Sequence, residues 1–278
     1  MVMKVILNGF KTSKKIIPTS SYLINKYIPE SFEIQYLNFG KYNSDLYGAK
    51  YISCGPYRIG GIKSWSKYNA KYFSTLEDEF IIFSLDDFLL TKSLNMELFN
   101  SLFDKLKENK MIGIAQLGIG SNIHQKKYDL ITDKIFNLGP NANYSVTTQW
   151  SIWRRKVLID VLNHTNDPWD FELNGSVYFN KKNYIAIGSV PSALPYPDWS
   201  SLSNKNKDKI SILGNKESDI KSLIKLGHLQ EKDLILGQFK DNQFSYLDHK
   251  NNQTVVNESQ EGYDKEYYLW ALEQFKNS

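Results

Sequence analysis

The chain has 278 residues, of which 41% are hydrophobic and 14% aromatic, and its formal net charge is +4. This composition excludes an intrinsically disordered chain, and the length suits one large α/β domain, alone or with an appended segment. The basic residues are scattered in short groups, so we expect solvated surface and no nucleic-acid partner.

The single cysteine, Cys54, excludes an internal disulfide and fits a reducing compartment. The apolar run at the N-terminus is about seven residues long, which is too short for a signal peptide. No segment approaches the ~20 apolar residues of a membrane-spanning helix. We therefore predict a cytoplasmic protein without a transmembrane segment, and a peripheral association with membranes through basic patches stays open.

The first part of the chain alternates strand-like and helix-like patterns. Short apolar or alternating runs predict three strands, at residues 4–7, 32–39 and 51–54. Thr19 or Ser20 is predicted to cap a short helix after the first strand. A glycine-rich, basic loop at residues 57–64 stands directly before a second helix, for which Ser64 is a suitable N-cap.

The most informative stretch is the apolar run 80–85, which ends in the adjacent carboxylates Asp86 and Asp87. As a buried strand, this run would lie inside a sheet that is covered on both faces. The carboxylates would then emerge at its C-terminal end, where open α/β sheets bind their ligands. Two adjacent acids gain from a positive group there, most often a metal ion between them and a substrate. The run therefore predicts a metal and diphosphate site.

The alternation continues along the chain. Sequence patterns predict strands at residues 111–119, 145–152 and 184–187 and helices at residues 94–108, 154–162, 219–226 and 264–275. Asp167 followed by Pro168 predicts another helix start, because aspartate caps free backbone N–H groups and proline suits the first turn. Strands that alternate with helices indicate a mainly parallel sheet between two helical layers.

Two sets of residues resemble known glycosyltransferases. The first resembles the nucleotide-sugar half of the GT-A family, in which a glycine-rich loop and a helix precede a strand ending in Asp-x-Asp: Gly60-Gly61, Ser64, Asn69 and the run 79–87. The second is similar to bacterial glycosyltransferases of the surface-polysaccharide type: the runs 149–155 and 168–172, with Gly175-Ser176 behind them. The resemblance spans about residues 1–190.

The resemblance implies a GT-A-like three-layer α/β sandwich with a mainly parallel central sheet. Residues 1–190 would form the nucleotide-sugar and acceptor domain. Residues 191–278 would form a C-terminal extension that packs on the same domain.

The resemblance also implies a divalent metal, manganese or magnesium, that bridges the diphosphate of the donor. The first aspartate of Asp-x-Asp falls on Ser84, and serine is a poor metal ligand next to a carboxylate. Either Asp86 and Asp87 hold the metal together, or it is bound weakly through one carboxylate and the diphosphate. We expect Asp86 to contact the ribose or the metal, and Asp87 the metal. Because adjacent side chains of a strand point to opposite faces, both reach one ion only if the chain turns at Asp86. Some GT-A enzymes add a C-terminal histidine, for which His228 is the candidate.

Four further residues are candidates for donor binding. Asn8 and Thr12 follow the first strand, where the resemblance places the base and the ribose. Arg58 and Lys63 belong to the glycine-rich loop before a helix, and we expect them to contact the diphosphate or the nucleotide.

An inverting transfer needs a base for the acceptor hydroxyl, and Glu172 and Asp170 are the candidates. Two positions apart on a helix, their side chains diverge by ~200°, so at most one faces the site. Helix capping is a sufficient explanation for Asp170, which favours Glu172. Asp170, or neither residue in a retaining mechanism, stays open.

Acceptor contacts are expected from four side chains. Aromatic rings can stack on a sugar and a guanidinium can hold an anionic acceptor, which selects Trp150, Trp153, Trp169 and Arg154. Core packing and ordinary surface charge explain these residues equally well.

We therefore expect a metal-assisted, inverting glycosyltransferase that moves a sugar from a nucleoside-diphosphate sugar to a glycan or a lipid-linked acceptor. Two alternatives stay open. One is a GT-A-like binding protein without catalysis, which the serine at position 84 permits. The other is a sugar-phosphate nucleotidyltransferase, which should carry a glycine-rich loop after the first strand, where this chain has only Gly9.

Overall fold

The computed structural model describes residues 3–9, 15–43, 45–55, 61–118, 129–139, 142, 144–195, 210–211, 217–229, 234–235, 237–240, 243–248 and 253–256. In chain order the elements are β1 (Met3–Asn8), α1 (Ile17–Tyr27), β2 (Phe32–Asn38), β3 (Lys50–Ser53), α2 (Trp65–Ser74), β4 (Phe80–Leu85), α3 (Met96–Glu108), β5 (Ile112–Gln116), β6 (Asp129–Leu130), β7 (Ile135–Asn137), β8 (Ser151–Arg154), α4 (Arg155–Leu162), α5 (Pro168–Lys181), β9 (Ile185–Ser189), β10 (Ile210–Ser211), α6 (Glu217–Lys225), β11 (Leu234–Ile235), β12 (Gly237–Lys240), β13 (Gln243–Asp248) and β14 (Gln253–Val256).

Nine of these strands form one sheet, in the order β3-β2-β1-β4-β8-β5-β9-β7-β6. The pairs β1–β2, β2–β3, β1–β4 and β5–β9 are parallel. β8 runs antiparallel between β4 and β5, and β7 runs antiparallel between β9 and β6. Within this sheet β7 and β8 run against the other strands, so the sheet is mainly parallel, as predicted.

Helices cover both faces of the sheet around β4, in which every residue is buried. Side chains alternate along a strand, so Phe80 and Phe83 point to opposite faces. Phe80 meets Phe103 of α3, with 5.2 Å between ring centroids, and Phe83 meets Phe73 of α2 at 5.5 Å and Phe171 of α5 at 6.4 Å. The predicted fold class, a three-layer α/β sandwich, is confirmed.

The position of α5 follows from its first turn and from one glycine. The Asp167 side chain accepts a hydrogen bond from Asp170 N at 2.9 Å, and Pro168 lies in the first turn, as predicted. A Cβ added at Gly175 would lie 3.0 Å from Cγ1 of Val161. The absence of a side chain at this position therefore lets α5 pack closely on α4.

Two predicted boundaries are wrong. α1 begins at Ile17 with Ile16 as the N-cap, so Thr19 lies inside the helix instead of capping it. The predicted strand 145–152 is a strand only from Ser151, because the preceding residues bond to α5: Val146 N donates to Ser176 Oγ at 3.0 Å.

Part of the predicted C-terminal extension packs on α1. Lys26 Nζ and Tyr27 OH both donate to the buried carboxylate of Asp219 at the start of α6, and Leu223 is buried in the common core. That all of residues 191–278 pack on the same domain stays a prediction, and the predicted helix 264–275 lies outside the described residues. Among the described helices, none has the length and apolar character that crossing a membrane requires.

Candidate functional site

Asp86 and Asp87 lie in a turn directly after β4, and both side chains are buried. Asp86 N donates to the carbonyl of Asn8 at 3.1 Å, which ties this acidic turn to the end of β1. On its other side, Trp150 Nε1 donates to the carbonyl of Phe88 at 3.0 Å. The chain leaves strand geometry at Asp86, which is the condition under which both carboxylates can reach one ion.

Ser84 takes no part in this turn. It is fully buried within β4, where it pairs with Leu7 of β1. Its hydroxyl is buried without a hydrogen-bond partner in the part of the chain that the structure describes. The residue aligned with the first aspartate of Asp-x-Asp is therefore an interior residue of the sheet, which leaves Asp86 and Asp87 as the carboxylates of the strand end.

Glu172 reaches the same edge of the sheet from α5. Its Oε1 accepts hydrogen bonds from Thr148 N at 2.8 Å, from Thr148 Oγ1 at 2.7 Å and from Thr147 Oγ1 at 3.3 Å. The carbonyl of Thr148 in turn accepts a hydrogen bond from Leu85 N at 2.9 Å. Thr148 thus links the Glu172 carboxylate to the last residue of β4, immediately before the acidic turn.

The environment of Glu172 suits a proton acceptor. Burial raises the pKa of its carboxyl group above the ordinary value, and the hydrogen bonds from Thr148 and then Thr147 oppose this shift. Oε2 receives no hydrogen bond from the described residues. One oxygen is fixed by hydrogen bonds and the other accepts none from the described residues, an arrangement compatible with a general base.

Two tyrosines, Tyr42 and Tyr51, form a stacked pair, and Tyr51 lies close enough to Asp86 to be affected by its charge. Tyr51 stacks on Tyr42 with 5.5 Å between ring centroids, and its hydroxyl donates to the carbonyl of Phe39 at 2.9 Å. Burial, followed by the charges of Cys54 and Asp86, raises the pKa of Tyr51 to about 12, so the phenol stays protonated. The chain has 18 tyrosines, and such a count does not by itself select these two positions.

The side chain of Asn8, a predicted donor-binding residue, makes hydrogen bonds within the fold. Its Nδ2 donates to the carbonyl of Leu37 at 3.0 Å, and its Oδ1 accepts hydrogen bonds from Trp65 Nε1 and from Asn69 Nδ2. The buried amide therefore joins the ends of β1 and β2 to the start of α2. Asn8 therefore positions the edge on which the acidic turn lies, and its contact with the donor stays a prediction.

The other predicted donor residues are less defined. Lys63 is exposed in the single turn of 3-10 helix, Gly61–Ser64, that precedes α2. Its contact with the diphosphate stays a prediction. Thr12 and Arg58 lie outside the described residues.

Two of the three predicted acceptor tryptophans belong to the core. Trp150 and Trp153 are buried, and Trp153 packs on Phe171 with 5.8 Å between ring centroids. Neither indole can present a face to a sugar, so the prediction is corrected: Trp150 holds the acidic turn and Trp153 fills the interior. Trp169 is 55% exposed on α5 and keeps the ability to contact an acceptor.

Arg154, a predicted acceptor contact, lies at the other edge of the sheet from the acidic turn. It pairs with Phe80 at the start of β4, and its guanidinium bonds Glu79 Oε1 at 2.6 Å and the carbonyl of Leu106 at 2.5 Å. The neighbouring Arg155 donates to the carbonyl of Asp78 at 2.5 Å. Both arginines therefore fasten the amino edge of β4, at the opposite end of the strand from the acidic turn.

Asp170 acts as the capping explanation requires. Its Oδ2 accepts hydrogen bonds from Asn166 N at 2.7 Å and from Asn166 Nδ2 at 3.0 Å, and its Oδ1 accepts one from Asn174 Nδ2 at 2.6 Å. Both oxygens are occupied at the start of α5. Of the two candidate bases, Glu172 alone has a free oxygen among its described contacts.

His228, the candidate C-terminal metal ligand, also makes hydrogen bonds within the fold. Its Nε2 is hydrogen-bonded to the hydroxyl of Tyr47, and its carbonyl accepts a hydrogen bond from Thr19 of α1 at 3.2 Å. Burial lowers the pKa of the ring, opposed by the charge of Asp45. Within the described residues no cluster of three or more histidine, cysteine, aspartate or glutamate side chains could hold a metal.

No protein-family model and no curated protein sequence matches the chain. Among solved structures it is similar to S. aureus TarS in complex with UDP, at 15% identity and a TM-score of 0.45, covering 70% of this chain and 59% of that one. It is also similar to CMP:2-keto-3-deoxy-manno-octonic acid synthetase complexed with CTP, at 11% identity and a TM-score of 0.41, covering 69% of this chain and 92% of that one. UDP-glucose pyrophosphorylase complexed with UDP-glucose gives 7% identity and a TM-score of 0.42, covering 71% and 93%.

Proposed function

We propose that this protein is an inverting glycosyltransferase that moves a sugar from a nucleoside-diphosphate sugar to a hydroxyl of a glycan or a lipid-linked acceptor. The observation that carries the proposal is the hydrogen-bonded link from Glu172 through Thr148 to Leu85, the last residue of β4 before the acidic turn. Ligands of open α/β sheets bind at this edge. The single cysteine favours a reducing, cytoplasmic setting for the reaction.

Asp87 and Asp86 fit a divalent ion, manganese or magnesium, that takes few protein ligands. They are two buried carboxylates in one turn, and oxygen ligands of this kind suit such ions. Magnesium commonly binds through one or two carboxylates together with phosphate oxygens and water, so a larger protein cluster is not required. When bound, the ion would neutralise the charge that develops on the leaving diphosphate.

Glu172 supplies the proton transfer. Its Oε2 takes the proton of the acceptor hydroxyl while the acceptor oxygen forms a bond to the anomeric carbon of the donor. The bond from that carbon to the diphosphate oxygen breaks, and the nucleoside diphosphate leaves with the electron pair. Because Thr148 fixes Oε1, the carboxylate is held in place to deprotonate the acceptor hydroxyl. The acceptor oxygen then attacks the face of the sugar opposite the leaving group, which inverts the anomeric configuration.

Trp169 is the acceptor contact that the geometry favours. It lies one helical turn before Glu172 on α5, and its ring is exposed. The aromatic face can stack on a sugar next to the base. For the donor, Lys63, Arg58 and Thr12 stay the proposed contacts.

Turnover of nucleotide sugars tests this function. The protein is incubated with sugars activated by UDP, GDP, CDP or dTDP, with and without manganese, and the released nucleoside diphosphate is measured. We expect metal-dependent release from one donor class, faster when a glycan acceptor is added and lost in Glu172→Gln. Pyrophosphate release from a nucleoside triphosphate and a sugar phosphate would instead identify a nucleotidyltransferase, and tight nucleotide binding without turnover would identify a binding protein.

A further inference from the structure

The outer face of α5 carries an unusual apolar stripe. Trp169, Leu173 and Val177 recur every four residues and are 55%, 54% and 67% exposed. The buried face of the same helix is formed by other residues, Phe171, Gly175 and Phe179. Single exposed hydrophobic residues are ordinary, whereas three on successive turns of one helix form a continuous patch.

The stripe is too small for a stable contact with a second copy of the chain. A specific interface buries ~800 Å² on each partner, supplied by ~20–30 residues. Three side chains that are already partly covered provide only a fraction of that area. A lipid surface makes no such demand, because a few inserted apolar side chains are enough when charges add to the attraction.

The residues around the stripe match a bilayer with anionic lipids. Lys181 follows Val177 by one turn, Lys182 comes next, and both are exposed. Tryptophan beside aliphatic residues, with lysines at the margin, is typical of helices that lie in a membrane interface. At the other end of the helix, the carboxylate of Asp170 accepts hydrogen bonds from Asn166 N and Asn174 Nδ2.

We propose that the Trp169–Leu173–Val177 stripe docks this protein on the surface of a bilayer that contains anionic lipids. Glu172 lies about 60° around the helix from Trp169, since each residue turns the helix by ~100°. Docking therefore brings the base close to the headgroup region, where the sugar of a lipid-linked acceptor lies. This role in catalysis rests on the proposed function, whereas the docking itself does not.

Co-sedimentation with vesicles tests the docking without any donor or acceptor. Vesicles of phosphatidylcholine alone are compared with vesicles that also contain phosphatidylglycerol, using the full chain. We expect binding to the anionic vesicles, reduced about tenfold or more in the double variant Leu173→Ser/Val177→Ser, since each lost side chain removes apolar area from the lipid. Lys181→Gln/Lys182→Gln should weaken binding to anionic vesicles and make the remaining binding less sensitive to salt.

Leu226→Ser is the matched control, because Leu226 is 51% exposed but belongs to the turn after α6. It should bind vesicles like the unmodified protein, and thermal unfolding should show that all variants are folded. Equal binding by the stripe variant and the unmodified protein would overturn the proposal, as would failure of the unmodified protein to bind any vesicle. A concentration-dependent dimer that the stripe variant abolishes would also overturn it, because a second copy would then cover the stripe.

The outcomes separate this proposal from the proposed function. If the protein turns over a nucleotide sugar with a soluble acceptor but binds no vesicles, the docking proposal alone is refuted. If the protein binds vesicles but turns over no nucleotide sugar, the proposed transferase function alone is refuted.

Discussion

The two ends of β4 carry charged residues that are used in opposite ways. At the amino edge, opposite charges meet: Lys4 Nζ lies 2.6 Å from Asp78 Oδ2, and Arg154 lies 2.6 Å from Glu79 Oε1. At the carboxyl edge, the carboxylate of Glu172 is held by two hydroxyls and a backbone N–H, which are neutral donors.

The difference separates a stabilising role from a chemical one. An ion pair that is completed within the fold has no charge left for a ligand. A carboxylate held by neutral donors keeps its charge and, in Glu172, one oxygen for a reaction. Substitutions at the amino edge should therefore change stability, and substitutions at the carboxyl edge should change activity.

The largest effect is expected from Glu172→Gln. The amide oxygen can keep the hydrogen bonds from Thr147 and Thr148, but the group can no longer accept the acceptor proton. We expect kcat to fall by about 10²–10⁴-fold.

The same substitution should also change the pH dependence of stability. The folded-state pKa of Glu172 is raised, so ionisation of this carboxyl group lowers the stability of the unmodified protein as the pH rises from the ordinary glutamate pKa through the folded value. Above that window the variant should be at least as stable as the unmodified protein, which thermal unfolding measures.

Asp170→Ala is the matched comparison on the same helix. It removes three hydrogen bonds at the start of α5, so the free energy of unfolding should fall by about 0.5–2 kcal/mol while kcat stays within a few-fold. If Asp170→Ala removed activity and Glu172→Gln retained it, the assignment of the base would be reversed.

Arg154→Ala should be the strongest destabilising change at the amino edge. It removes the pair with Glu79, the hydrogen bond to the carbonyl of Leu106 and the stacking of the guanidinium on Phe80, 4.8 Å from the ring centroid. We expect a loss of about 1.5–3 kcal/mol in urea unfolding, with kcat unchanged at temperatures where the variant is folded. Lys105→Ala, which breaks a surface pair with Glu108, should cost less than about 1 kcal/mol. A large fall in kcat with unchanged stability would restore Arg154 to the site.

A smaller effect is expected from Thr148→Val. The hydroxyl of Thr148 stabilises the ionised form of Glu172, so its removal should raise the pKa of that carboxyl further. Activity needs the ionised base, so the acid limb of the kcat/KM profile should move to higher pH while the plateau changes little. An acid limb that does not move, or that moves to lower pH, would remove Glu172 from the titrating step.

The sequence predicted β4 and the start of α5 because their signals are local: an uninterrupted apolar run, and Asp167 before Pro168. The role of Arg154 could not be predicted from local sequence signals, because it depends on the direction of β8. A parallel strand would have carried its last residue to the carboxyl edge. β8 is antiparallel, so Arg154 meets Phe80 instead.

The same limit applies to the tryptophans and to Thr148. An alternating run such as 149–155 fits a buried strand and an exposed acceptor surface equally well, since only the neighbouring layers decide which side chains are covered. The pairing of Thr148 with Glu172 joins residues 24 positions apart and has no sequence motif.

The proposed function requires that the carboxyl edge of β4 bind a nucleoside diphosphate together with a metal ion. Calorimetric titration with UDP, GDP, CDP and dTDP, with and without manganese, tests it in the unmodified protein, in Asp87→Ala and in Asp78→Ala, the control at the amino edge. We predict manganese-dependent binding of one diphosphate, weakened about tenfold or more in Asp87→Ala, since a lost metal ligand removes one charge-assisted contact, and unchanged in Asp78→Ala. Binding that is equal in all three proteins, or absent from the unmodified protein, would contradict the account.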